Sequence, residues 1–215
     1  MIQVKSTFFL LAFVMSSKTF AYTPAEGKIS AVFGPYLYRT NFSGSDSGAN
    51  SPYLGDVGLI AQGDLNSNGG LEIGLFHMNK LYFRQSNGSY VAEKTELIQI
   101  DLGYRYWLTH YIAAGLGFYS AYAIGTPAVE HSDFSIGANI DTSAQDTTEY
   151  GFDFSLQGEV WSQGNFSVIL DARYVQSVTN KQNESGNHYA FLVGLKYLIQ
   201  EKYPDRPQPV PQSSN

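Results

Sequence analysis

The residues in this 215-residue chain whose types and spacing could do chemistry are four histidines, a few neighbouring serines and a set of charges embedded in apolar runs. Acyl transfer by a serine needs a histidine base that is itself oriented by an acid. Glu130, His131 and Ser132 bring these types together, but successive side chains on an extended backbone point apart, so the three do not form a triad among themselves. His77 with Ser120 is a second formal pairing, with nothing in the spacing to support it. His77, His110, His131 and His188 show no paired metal-ligand spacing on one element. The stretch Asp133–Asp146 (DFSIGANIDTSAQD) is acidic and contains glycine, but it lacks the ligand rhythm of a calcium loop. There is no cysteine for a thiolate site or a disulfide, and no glycine loop opening a helix to cradle phosphate. The expectation is a chain with no catalytic site, no metal and no cofactor.

The other charges follow a pattern. Ile98, Ile100, Leu102, Tyr104 and Tyr106 alternate with Gln99, Asp101, Gly103 and Arg105. Phe152, Phe154 and Leu156 alternate with Asp153, Ser155, Gln157 and Glu159. Tyr189, Phe191, Val193, Leu195, Tyr197 and Ile199 share a face opposite Gly194 and Lys196. Period two with one wholly apolar face marks strands between two different environments. Eight such segments are predicted at roughly 28–40, 53–63, 71–84, 90–107, 111–124, 150–161, 166–178 and 188–199. In the third, His77 and Asn79 interrupt the Leu71, Ile73, Leu75 stripe, and a β-bulge is one way to restore it. The polar faces carry Asp56, Asp101, Arg105, Asp153, Glu159, Asp171, Arg173 and Lys196. On a soluble sandwich these would face water, and in a barrel surrounded by lipid they would line the interior.

Composition bears on that choice. Charged residues are 15% of the chain, against ~25% in ordinary soluble domains. Aromatics are also 15%, with 16 Tyr and 14 Phe, as expected of girdles at two membrane interfaces. A net charge of −6 argues against a nucleic-acid partner, which requires clustered Lys and Arg. The N-terminus has the order of an export signal: Lys5, the apolar run Thr7–Met15, then Thr19-Phe20-Ala21 as a cleavage site after Ala21. The run is too short for a spanning helix, which needs about 20 apolar residues. Removing 1–21 takes away Lys5 and Lys18 and no acid, so the net charge becomes −8. A mature chain that crosses a membrane must then do so as a closed barrel.

Connection lengths set the expected orientation. Asp64–Gly70, Thr109-His110 and Ser162–Asn165 are tight, whereas Asn41–Pro52, Gly125–Glu149 and Thr179–Asn187 are longer and polar. Gln85–Ser89 is short although it falls on the long side. Short turns are periplasmic in outer-membrane barrels, so the long loops are expected outside and both termini in the periplasm. Residues 201–215 are proline-rich and cannot continue a strand. They read as a disordered periplasmic tail, or as an extended ligand for a periplasmic partner.

From about residue 22 to 200 the chain resembles the small outer-membrane β-barrels, including the transmembrane domain of OmpA-type proteins. The closing segment Gly194-Leu195-Lys196-Tyr197-Leu198-Ile199 looks like their assembly signal, carried by Gly194, Tyr197 and Ile199, although this chain continues for a further 15 residues. The resemblance implies an all-β, eight-stranded antiparallel up-and-down transmembrane β-barrel in the bacterial outer membrane. Lipid, lipopolysaccharide and the barrel-assembly machinery would be its partners. Its charges would form an interior network that plugs the barrel, since eight strands leave room only for side chains. The leading functional reading is a structural or surface-exposed barrel, for envelope integrity or loop-mediated interaction. The alternatives are a narrow channel for small or apolar solutes and a lipid A-modifying acyl hydrolase or transferase. A soluble periplasmic β-protein is the competing fold.

Overall fold

The computed structural model describes residues 24–43, 50–135 and 140–200. The expected signal segment 1–21 with Ala21, and the tail 201–215, lie outside the described residues. Ten strands follow in chain order: β1 (Ile29–Thr40), β2 (Leu54–Asp64), β3 (Gly69–Ser86), β4 (Ser89–Trp107), β5 (Ile112–Ala123), β6 (Ala128–Ser132), β7 (Thr148–Gln163), β8 (Phe166–Ser177), β9 (Glu184–Ser185) and β10 (His188–Gln200). Eight of them form a closed antiparallel wall, in which β10 returns to pair with β1. β6 and β9 add short edges to β4 and β3.

The registers fix the geometry of closure. Partners run from Ile29 through Gly63, Leu71, Tyr104, Leu116, Phe154, Tyr174 and Tyr189, and return to β1 at Arg39. One circuit therefore advances from 29 to 39, a stagger of ten residues. For eight strands such a stagger requires steeply tilted strands, ~35–45° to the axis, around an interior just wide enough for side chains.

Alternation sends each strand's two faces to opposite sides of the wall. Leu102, Leu156 and Val193 are 60%, 53% and 47% exposed, and the neighbours with which they alternate, Asp101, Arg105, Asp153, Gln157 and Lys196, are buried. The outward run Tyr189–Tyr197 on β10 spans eight residue steps. At ~3.3 Å per residue and ~40° tilt this gives a belt ~20 Å tall. Tyr106, Tyr111, Phe166 and Tyr197 stand near one end of the belt, and Tyr53, Tyr122, Tyr150 and Tyr189 near the other.

Two irregularities of the sequence pattern are explained. The short connection after the third segment does not shorten that side of the barrel, because β3 and β4 are themselves 18 and 19 residues long and project past their neighbours. Their tip is Asn87-Gly88, with φ of 52° and 82°. Positive φ at both central residues is what a tight hairpin matching strand twist requires, and Asn-Gly supplies it. The second concerns His77 and Asn79, and it corrects the expected bulge. β3 carries no bulge there and stays in register with β4 throughout. The stripe changes character because β2 stops pairing with β3 at Gly58–Phe76. Above that level the exposed edge of β3 is closed piecewise. The Asn79 N–H donates to the Tyr38 hydroxyl and the Thr40 hydroxyl donates to the Leu81 carbonyl, each at 2.5 Å. β9 then pairs with Phe83 and Arg84, and the Gln85 N–H donates to the Asn183 carbonyl at 3.1 Å.

Interior glycines make room for the larger rings. A Cβ on Gly58 would come within 2.8 Å of Phe76 Cδ1 and 2.7 Å of Leu192 Cδ1, whereas one on Gly63 would meet nothing within 4 Å. Gly58→Val is expected to destabilise the folded barrel by ~1–3 kcal/mol through overpacking. Gly63→Ala should stay within ~0.5 kcal/mol of the parent. Urea titration in detergent or lipid measures both.

Candidate functional site: the charged barrel interior

The strands place their inward side chains in storeys. At the level of Arg173 on β8, the guanidinium is buried and meets four carboxylates. Its Nε donates to Asp171 at 2.7 Å. Its Nη1 donates to Asp153 on β7 at 2.5 Å and to Asp101 on β4 at 3.3 Å, and its Nη2 to Glu72 on β3. The guanidinium also lies 4.9 Å from the centre of the Phe76 ring. Arg105 pairs with Glu72 at 3.4 Å and with Asp64 at 3.2 Å, and stacks 5.1 Å from Trp107. Three amides knit the acids together. Gln62 Nε2 donates to Glu72 and Gln157 at 3.0 and 3.1 Å, Gln157 Nε2 to Asp171 at 3.2 Å, and Gln99 Nε2 to Asp101 at 2.9 Å. A separate pair, Lys196 and Glu159 at 3.6 Å, sits near the short-turn end.

The storey is lopsided. Val32 and Tyr36 of β1, Ile60 of β2 and Leu192 of β10 form an apolar cluster with Ile169 of β8 and Phe76 of β3, and the network's carboxylates Glu72, Asp101, Asp153 and Asp171 come from β3, β4, β7 and β8. A space of about 10 Å³ remains among Asp101, Arg105, Asp153, Ser155 and Arg173, walled by Gly103, Gly115 and Gly117. That is room for about one water. Above it Met78, Leu97, Ala121, Val175 and Ala190 form a buried apolar septum. Beyond the septum lies a second charged storey. Lys80 Nζ donates to both Glu149 oxygens at 2.6 and 2.8 Å, and the hydroxyls of Tyr82 and Tyr119 donate to the same carboxylate.

Seven of the eight charges picked out from the sequence are buried inside: Asp101, Arg105, Asp153, Glu159, Asp171, Arg173 and Lys196. Asp56 is not among them. The end of β2 diverges from β3, so Asp56 reaches His77 Nδ1 at 2.7 Å while Glu96 holds Nε2 at 2.7 Å. Sequence reading missed Asp64, Glu72, Lys80, Glu149 and Gln62, while Gln99 and Gln157 stood on the polar faces it identified. Glu72 and Lys80 were legible as members of the face that alternates with Leu71, Ile73 and Leu75. Glu149 lay one residue before the segment assigned to its strand.

The acyl-transfer candidates are not brought together. His131 is bonded to Asp133 at 2.7 Å and stacked 4.6 Å from Tyr90, while the Ser132 hydroxyl accepts from the Phe134 N–H. Both His77 nitrogens are taken by carboxylates, which leaves neither for Ser120. In the acidic loop, Asp141 and Asp146 are engaged by Lys181.

No protein-family model and no curated protein matches the sequence. Among solved structures, the outer membrane protein OprG from Pseudomonas aeruginosa is similar with a TM-score of 0.57 at 11% identity, covering 85% of this chain and 100% of OprG. Ail, the attachment invasion locus protein of Yersinia pestis, gives 0.45 at 13% identity over 80% of this chain and 99% of its own. AlkL, an outer membrane protein solved in lipid bilayers, gives 0.40 at 13% identity over 88% and 97%.

Arg173→Leu would leave four carboxylates facing one another, at an expected cost of ~3–5 kcal/mol or loss of folding. Asp56→Asn, at the rim, should cost under ~1 kcal/mol. Denaturant unfolding with the parent chain alongside distinguishes the two. The closed wall and the OprG match together give the chain the fold of a small eight-stranded outer-membrane β-barrel.

Proposed function

We propose that this protein resides in the bacterial outer membrane as a closed, internally braced barrel that displays its long loops and the β3–β4 projection outside the cell. The carrying observation is the pairing of an exposed apolar belt with an interior filled by the Arg173 network. Water would penalise that belt and lipid favours it, and its height is near the ~25 Å apolar band of outer-membrane barrels. A filled interior suits a scaffold for the envelope or for loop-mediated contact better than a pore. In this reading residues 1–21 direct export, both termini and the tail are periplasmic, and Gly194, Tyr197 and Ile199 serve recognition by the assembly machinery. Lipid and lipopolysaccharide surround the belt.

A narrow route for small apolar solutes is the second reading, and one observation favours it. Beside the end of the β2–β3 ladder, Phe33, Val57, Leu59, Leu75, His77 and Ile98 line an apolar hollow of about 130 Å³ on the outer wall. It ranks second because Tyr38 and Thr40 bridge the seam above the hollow.

Planar-bilayer recording on the refolded protein is expected to show no large, stable conductance step, and such a step would defeat the closed-barrel reading. Val193→Arg, at mid-belt, should destabilise insertion by ~2–4 kcal/mol. Refolding yield into vesicles reads this out, and a soluble β-protein would show no such penalty.

A further inference from the structure

The connection between β5 and β7 turns back on the barrel in its described parts, 124–135 and 140–147. Its first part pairs as β6 along the projecting end of β4. Its last part enters the barrel mouth, where the short 3₁₀ turn Ser143–Gln145 is set among interior side chains. Thr142 and Ala144 are fully buried, and Ala144 joins the same apolar cluster as Met78 and Leu97.

The grip on this segment is almost wholly polar and comes from three separate places. On β4, Glu93, itself buried, accepts from the Thr142 N–H at 3.2 Å, the Thr142 hydroxyl at 2.5 Å and Gln145 Nε2 at 3.0 Å. Across the mouth on β9, Glu184 accepts from the Ser143 N–H at 2.9 Å and the Ser143 hydroxyl at 2.8 Å. Lys181, before β9, donates to the Thr142 carbonyl at 3.0 Å and to Asp141 at 2.7 Å, and lies 3.4 Å from Asp146. Arg84 on β3 donates to the Asp141 carbonyl at 2.7 Å and its carboxylate at 3.0 Å. The hydrogen bond and charge of Lys181, with Arg84 beside it, hold the Asp141 carboxyl below the usual carboxylate range.

Two of these features set the segment apart from the wall. Within 141–146 the one apolar side chain is Ala144, so hydrophobic burial contributes little to its attachment. Its attachment rests instead on a few charge-assisted bonds to Glu93, Glu184, Lys181 and Arg84, which are stronger than neutral ones but can be replaced by water when the segment lifts at the mouth. The barrel wall beneath is held by continuous ladders and a separate charge network. Local opening without global unfolding is what such a contrast in attachment produces.

We propose that residues 141–146 form a detachable strap, a cover over the upper charged storey, gripped by the carboxylates of Glu93 and Glu184. Its release exposes the storey of Lys80, Tyr82, Tyr119 and Glu149 to the outside, while the septum of Met78, Leu97, Ala121, Val175 and Ala190 keeps the barrel closed. The strap therefore governs access to this upper storey and not passage through the barrel.

Amide hydrogen exchange by mass spectrometry on the full chain, folded in detergent or lipid, tests this. In E93Q/E184Q, amides of 142–146 should exchange at least tenfold faster than in the parent, with peptides from β7 and β8 unchanged. Should that variant fail to fold, K181M is read in the same way, with a severalfold local increase expected. Unchanged exchange over 142–146 would overturn the proposal. An increase shared equally by the strand peptides would also overturn it, because the segment would then open only when the barrel does.

Discussion

The rest of the structure depends on the ladder between β10 and β1. Without it the wall would be an open sheet with two unpaired edges, which neither lipid nor water tolerates over such a length. Closing eight strands with a stagger of ten fixes how wide the interior can be. That width forces the choice of contents, since the space admits side chains but no solvent column. Arg173 is the consequence at the centre. A guanidinium presents several donors in a rigid plane, so one residue on β8 can engage β3, β4 and β7 across the lumen and tie four strands together.

The interior is also zoned, and the zones explain how a narrow barrel carries so much charge. An apolar half made by Val32, Ile60, Ile169 and Leu192 lets the guanidinium approach the acids without competition from water. Phe76 supplies a ring face to Arg173 where the two halves meet. The septum above separates this network from the Lys80–Glu149 pair, so the ion pairs of each charged storey close within that storey. Glycines at 58, 74 and 194 face the large side chains of Phe76, Leu192 and Ile169, which is how a wall of fixed radius accommodates uneven contents.

Much of this was legible from alternation. Ile98 to Tyr106 showed both faces of β4 unaided, and Phe152 to Glu159 did the same for β7, because period two survives wherever one face meets a single environment throughout. Reading failed where a strand passes from one environment to another. His77 and Asn79 lie where β2 has left β3, so the outward face there is polar for a reason that only the ladder reveals. Lys80 and Glu149 are 69 residues apart in sequence and meet across the lumen, a contact that no local pattern encodes. The folding-back of residues 141–146 was equally hidden, since Ser, Thr, Asp and Ala in a long connection look the same whether they are solvated or gripped by distant carboxylates.

The central claim is that the faces alternate between lipid and a dry, braced interior. Solid-state NMR polarisation transfer on the unmodified chain in bilayers tests it directly. Methyl groups of Ile100, Leu102, Leu116 and Val193 should receive magnetisation from lipid acyl protons, and those of Val32, Ile60, Ile169 and Leu192 from neither lipid nor water. Water transfer to the first set would mean a soluble protein, and rapid water transfer to the second set would mean an open pore; either result contradicts the account.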